Sequence, residues 1–179
     1  SVTALAGVAV CGAVEQVCGV RPKLKWPNDP VLNGKKLCGI LTEMSLEAET
    51  GRLQSLVVGI GLNVGQTAAD FTPEVAAVAT SISQELGRSV SRPALAAAEI
   101  EALDRLYTAL KGGDLSAYLA AYRRDCVNLG KTVQLISPLG RETVEAVGID
   151  EQFGLVVRTA DGTEKTVRSG EVSVRGMYG

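Results

Sequence analysis

Histidine is absent from the chain. Serine-histidine triads, imidazole acid-base chemistry and histidine-containing zinc sites are therefore excluded, and any catalysis must run on charge and positioning. Cysteine is sparse, at positions 11, 18, 38 and 126, with no CxxC spacing. Cys11 and Cys18 fall on one expected helix about 10 Å apart along its axis, beyond the roughly 7 Å limit for a disulfide, so free thiols in a reduced, cytoplasmic protein are expected. No apolar run reaches the roughly 20 residues that a membrane span needs. The apolar stretch from Ser1 to Val20 lacks a basic start and carries Glu15 and Gln16, so it reads as a core helix and not a signal sequence. The net charge of -2 gives no broad electrostatic hold on nucleic acid, and Arg123-Arg124 and Lys35-Lys36 are isolated pairs. There is no initiator methionine, and almost nothing precedes the first helix as a packing partner, so the chain is expected to begin inside a domain.

The 179 residues suffice for one modest domain and a small one with a core of their own. Leu5, Val8, Cys11 and Val14 recur at helical spacing along Ser1 to Cys18. Leu53 to Val64 reads as a long central strand, with Gly59, Gly61 and Gly65 on one face. The bare strip is either a ligand wall or a strand flattened against a helix. Phe71-Thr72-Pro73-Glu74 opens a helix that stops near Gly87. Ser91-Arg92-Pro93 opens a second, with Leu95, Ile100, Leu103, Leu106, Tyr107 and Leu110 as its apolar positions, and Asp114 caps a third ending near Cys126. These three read as packing helices. Composition shifts at Asn128-Leu129-Gly130, after which five short strands, 132 to 137, 142 to 149, 154 to 159, 163 to 168 and 171 to 175, are spaced as in a small barrel. The expected architecture is α/β (α+β): a mixed or antiparallel sheet with packing helices over residues 1–128, then a small β-barrel over 129–179.

Everything else is arranged around Lys25-Trp26-Pro27-Asn28-Asp29-Pro30-Val31-Leu32-Asn33-Gly34-Lys35-Lys36-Leu37-Cys38-Gly39-Ile40-Leu41. Prolines 22, 27 and 30 fix φ and withhold amide hydrogens, so Trp26 to Pro30 should be an irregular crossing between extended pieces. Asn33-Gly34 is a strong hairpin signal, because a type I′ turn needs positive φ at both central positions. Lys36 then sits at the root of a buried strand, with Gly39 on the opposite face if that strand is regular. Read alone, Lys36 could as well point to water, and Asn28-Asp29 could bond their own backbone.

Lys25-Trp26-Pro27-Asn28-Asp29, then Lys36-Leu37-Cys38-Gly39-Ile40-Leu41-Thr42-Glu43, then Gly59-Ile60-Gly61-Leu62-Asn63-Val64 resemble, in order and spacing, the signature of bacterial biotin protein ligases. Gly170-Glu171-Val172-Ser173-Val174-Arg175 is similar to the end of that family's small C-terminal SH3-like domain. The resemblance implies formation of biotinyl-5′-adenylate from biotin and ATP, then transfer of biotin to a lysine of a biotin carboxyl carrier domain. It implies Lys36 at the biotin carboxylate and the reacting phosphate, Gly39 in the biotin wall, Asn28, Asp29, Asn63 and Arg175 at the nucleotide, and Asp29 as a ligand of Mg²⁺. Lys25 and Trp26 should support the turn by packing.

One departure is as informative. The family's glycine- and arginine-rich biotin loop has no counterpart here, nor has the DNA-binding domain of some members. The expectation is a piece of the catalytic domain plus the C-terminal domain, unable to biotinylate alone, with no nucleic acid partner. An alternative is a non-catalytic interaction module that keeps part of the fold, with a homodimer formed through the sheet. An SH3-like adaptor is a weaker third: a tail whose aromatic residues are Phe153 and Tyr178 offers no groove for proline-rich peptides.

Overall fold

A computed structural model describes residues 2–47, 49–137, 140–168 and 171–174. Its centre is helix α1 (Val2–Cys18), apolar around most of its circumference and buried accordingly. Leu5, Val8 and Cys11 join a cluster with Leu24, Trp26 and Tyr122. Ala6, Val10, Val14 and Cys18 turn toward Leu37, Cys38, Ile40, Ile82 and Leu95. Ala9 and Ala13 meet Ala98 and Ala102 of α4 (Arg92–Gly112).

That last contact corrects the expected face of α4. Ile100 and Tyr107 are 61% and 63% exposed, while Leu95, Ala98, Ala102 and Leu106 are buried. Small side chains let two helices approach closely, so alanine forms the seam where larger residues had been expected. The cap of α4 is as read: Ser91 accepts from the Ala94 amide, and Gly113 closes the helix at φ 77°. The helix expected from Thr72 to Gly87 is instead two, α2 (Pro73–Val78) and α3 (Ile82–Leu86). Between them Ala79 and Thr80 are extended: Ala79 bridges to Lys36, and the Thr80 amide donates to the Lys36 carbonyl at 2.9 Å. Helix α5 (Ser116–Asp125) follows Asp114, whose carboxylate accepts from the Ser116 amide.

Three short strands, β1 (Lys23–Lys25), β2 (Asp29–Leu32) and β3 (Lys35–Lys36), form one antiparallel sheet. Asn33 and Gly34 turn β2 into β3 at φ 49° and 79°, the positive pair that the hairpin demands. Strands β4 (Cys38–Leu46) and β5 (Leu53–Leu62) make a separate antiparallel ribbon. Leu53 to Val64 is thus not a central strand; among the described residues β5 pairs with β4 alone. An apolar run does not by itself distinguish an interior strand from a ribbon lying on a helix with one face.

Strands β6 (Thr132–Ser137), β7 (Gly140–Ile149), β8 (Leu155–Arg158), β9 (Glu164–Val167) and β10 (Glu171–Val174) form an antiparallel sheet ordered β10-β6-β7-β8-β9. Its interior, including Val133, Val144, Ala146, Leu155 and Val157, is continuous with the Leu24–Trp26–Tyr122 cluster. The C-terminal sheet and the β1 segment therefore share a core. All four cysteines are free and buried. Burial pushes the thiols of Cys11 and Cys38 up to about 12, so both are protonated and unreactive at neutral pH. No described helix is long and apolar enough to cross a membrane.

Candidate functional site

Lys25 pairs with Asp29 across the first hairpin, so Trp26, Pro27 and Asn28 form a tight link between β1 and β2, with a cis bond between Trp26 and Pro27. The packing role expected of Trp26 has specific anchors. Its amide donates to Asn128 Oδ1 at 2.7 Å and its indole N–H to the Phe153 carbonyl at 3.0 Å. Tyr122, fully buried, donates its hydroxyl to the Pro27 carbonyl at 2.9 Å and meets the Phe153 ring edge-on at 5.5 Å. Nothing in the local sequence links Tyr122 or Phe153 to this turn. Partners 95 to 127 residues apart leave no local signal. A cavity of about 310 Å³ opens beside them, lined by Ala4, Trp26, Pro27, Gln152, Phe153, Gly154 and Arg168.

On this support the Asn28 side chain donates to the Ile40 carbonyl at 2.7 Å, joining the turn to β4. Asp29 Oδ1 lies 2.6 Å from Lys36 Nζ, with 20% and 40% of the two side chains exposed. The lysine thus points neither freely to water nor into the core. Regular alternation would have put Gly39 on the other face, but β3 ends at Lys36 and β4 begins at Cys38, with Leu37 as a pivot. The Leu37 amide donates to Pro30 and its carbonyl accepts from Asn63. The break brings the two onto one side: a Cβ on Gly39 would lie 3.9 Å from Lys36 Cε.

Gly39 is opposite Gly61, and Leu41 opposite Gly59. Bare backbone therefore lies under the lysine stem at Gly39 and Gly61 and continues along β5 to Gly59, a surface that another molecule can approach closely. Asn63 stands just beyond β5 and donates its side-chain amide to the Thr80 carbonyl at 3.0 Å. The structure thus gathers Asn28, Asp29, Lys36 and Gly39 at one end of the ribbon, with Asn63 tied to them through Leu37 and Thr80. Arg175 lies outside the described residues.

The chain is similar to known proteins over most of its length. The family model described as Biotin/lipoate A/B protein ligase family matches residues 2–63, and that described as Biotin protein ligase C terminal domain matches residues 129–175. The bifunctional ligase/repressor BirA of Bacillus subtilis is 33% identical over 163 residues, covering 91% of this chain and 50% of its own length. Over both matched parts this chain is similar to biotin protein ligases. The biotin–[acetyl-CoA-carboxylase] ligase of Mycobacterium tuberculosis is 31% identical over 172 residues, 93% of this chain and 59% of the relative. Among solved structures, the Aquifex aeolicus biotin protein ligase in complex with biotin and ATP superposes with a TM-score of 0.81 at 28% identity, covering 97% of this chain and 70% of that one. The chain spans about half the length of the BirA relatives it matches.

The family's sequence signature leaves one element of the site unmarked. Thr80 and Ser81 are 2% and 0% exposed. They lie against the hairpin and the end of β5, with the Ile82 amide on the Asn63 carbonyl and the Ser83 amide on that of Val64. The available signal was the cap: Ser81 accepts from the Gln84 amide, and a serine three residues before glutamine inside an expected helix marks a new N-terminus.

Proposed function

We propose that this chain carries the carboxylate-activating and C-terminal parts of a biotin protein ligase. Biotin would react with ATP to give biotinyl-5′-adenylate and pyrophosphate, and the biotinyl group would pass to a lysine of a biotin carboxyl carrier domain. The observation that carries this reading is the ammonium of Lys36, anchored on Asp29 with its stem over the bare strip of Gly39 and Gly61. When the biotin carboxylate oxygen attacks the α-phosphorus and the bond to pyrophosphate breaks, negative charge gathers between two anions. A preorganised cation there lowers the barrier, and lysine supplies a compact charge on a flexible stem.

In this reading Gly39 forms part of the biotin wall, and Asn28, Asp29 and Asn63 face the nucleotide. Arg175 would reach the phosphates from the C-terminal domain, which we place at residues 129–179 after a catalytic part at 1–128. Asp29 is the proposed Mg²⁺ ligand. Among the described residues no group of three or more acidic or cysteine side chains could hold a metal. One carboxylate fits an ion that keeps much of its water and takes its other oxygens from phosphates. Mg²⁺ bound there would neutralise phosphate charge; Lys36, released from Asp29, would then be free for the carboxylate. A cytoplasmic location follows from the substrates and the buried free thiols.

The test is biotin-dependent exchange of labelled pyrophosphate into ATP, followed by transfer to a purified carrier domain, in the full-length protein. Exchange that needs both biotin and Mg²⁺ supports the reading. ATP turnover indifferent to biotin overturns it. A second property has its own observation: Leu41, Met44, Leu46 and Val57, spread along the ribbon, are 56% to 69% exposed. Such a surface favours pairing with a second copy through the sheet, which sedimentation across a concentration series would detect and a monomer at every concentration would refute.

A further inference from the structure

Lys36 ends β3 and Asn63 follows the end of β5, and neither is fixed by its own neighbours in sequence. Both end on Thr80. Its amide donates to the Lys36 carbonyl at 2.9 Å, and its carbonyl accepts the Asn63 side chain at 3.0 Å. Thr80 is 2% exposed and lies in the extended break between α2 and α3. Its hydroxyl, so placed, needs a partner of its own.

The group in position is Glu85, on the last turn of α3. One of its carboxylate oxygens accepts the Thr80 hydroxyl at 2.5 Å, and the other accepts the Asn33 side-chain amide at 2.5 Å. A single half-buried carboxylate thus joins the tip of the hairpin that presents Lys36 to the residue that holds Asn63. Among the described residues Glu85 has no ion-pair partner: the hydrogen bonds of its carboxylate go to two neutral donors, each on a segment of the candidate site. Charge-assisted bonds of this kind are roughly twice as strong as neutral ones, and a bidentate arrangement fixes direction as well as distance.

We propose that Glu85 is a positioning residue of the ligase site, clamping the Asn33-Gly34 hairpin to Thr80 so that Lys36 and Asn63 are held in register across the glycine strip. The proposal rests on the ligase reading above. Glu85 itself touches no substrate; it acts through the Thr80 backbone. Removal of the carboxylate lets the hairpin tip and Thr80 move independently, which misplaces the Lys36 ammonium relative to a nucleotide held by Asn63. A displacement of about 1 Å in such a group can cost on the order of 10²-fold in rate.

The experiment compares Glu85→Ala and Glu85→Gln with the unsubstituted full-length protein, by biotin-dependent pyrophosphate exchange and by amide hydrogen exchange at Thr80. Glu85→Ala should lower kcat by about tenfold or more, with a smaller change in KM for biotin, and Thr80 should lose protection while α1 keeps its own. Glu85→Gln should recover most of the rate, since its amide oxygen can accept the Thr80 hydroxyl and its NH₂ can donate to Asn33 Oδ1. An active protein in which Glu85→Ala retains the wild-type rate or the Thr80 protection overturns the clamp alone, as does a Gln variant no better than Ala. Absence of biotin-dependent exchange in the unsubstituted protein overturns the ligase reading itself, and with it the catalytic consequence of the clamp.

Discussion

Asp125, at the end of α5, has no exposed side-chain surface and takes three cations: Arg21 at 2.7 Å, Lys23 at 3.0 Å and Arg124 at 2.8 Å. Asp29, at the start of β2, is one-fifth exposed and takes Lys36 alone. At Asp125, burial pushes the carboxyl up, but hydrogen bonds from Arg124, Arg21 and Lys23 outweigh it and hold the group well below the usual carboxylate range. The cluster joins β1, the segment before it and α5, elements more than a hundred residues apart in sequence. Multiple bonds to a buried group make a fixed joint. A single half-exposed pair has little net stability to lose, about 0 to 1 kcal/mol, so its lysine can exchange one anion for another at little cost. The same residue types thus serve structure in one place and suit chemistry in the other, and burial decides which.

The largest expected effect falls on the exposed pair. In the full-length protein Lys36→Ala should slow adenylate formation by about 10²- to 10³-fold, the worth of one preorganised donor at a charged transition state, while shifting the unfolding free energy by less than about 1 kcal/mol. Pyrophosphate exchange near the wild-type rate would break the comparison. Asp125→Asn should do the opposite. It leaves Arg21, Lys23 and Arg124 facing one another without the anion, and loss of one partner from a buried cluster costs about 3 to 5 kcal/mol, readable by urea denaturation.

These two sites also mark the limits of what the sequence discloses. Asn33-Gly34 was legible because only a few residues tolerate the positive φ found at both positions. Helix α1 was legible because its apolar residues recur at helical spacing. The signature residues around Lys36 were legible as a family pattern, but their geometry was not: the pivot at Leu37 that folds the lysine over Gly39 depends on bonds to Pro30 and Asn63. The break at Ala79-Thr80 has a local cap signal in Ser81, but its bonds are tertiary: Ala79 bridges to Lys36 and the Thr80 amide donates to the Lys36 carbonyl. The Asp125 cluster leaves no trace in local pattern, where Arg123-Arg124 reads as an isolated pair. Arg124 instead belongs to the cluster, and Arg123 donates to the Ile149 carbonyl at 2.7 and 2.9 Å.

Acid should sharpen the comparison next. Because the carboxyl of Asp125 is depressed in the folded state, its stabilisation is fully present above the unfolded value of about 3.9 and is lost as pH falls below it toward the folded value. Wild-type unfolding free energy should therefore decline more steeply below about pH 4 than that of Asp125→Asn. Parallel profiles would deny the cluster its role. The smallest effect is expected at the surface of the C-terminal sheet. Arg158, 44% exposed and shared between Glu145 and Glu164, should cost less than about 1 kcal/mol when replaced by alanine.

The most direct measurement uses both lysines at once. Lys36 and Lys23 are similarly exposed, 40% and 52%, and each is paired to an aspartate. Amine-selective acylation read by mass spectrometry, with and without biotin plus Mg²⁺-ATP, separates them. Protection of Lys36 by the ligands, with Lys23 labelled equally in both states, is the predicted result. Equal labelling of Lys36 with and without ligands would contradict the assignment of the hairpin lysine to the reacting site.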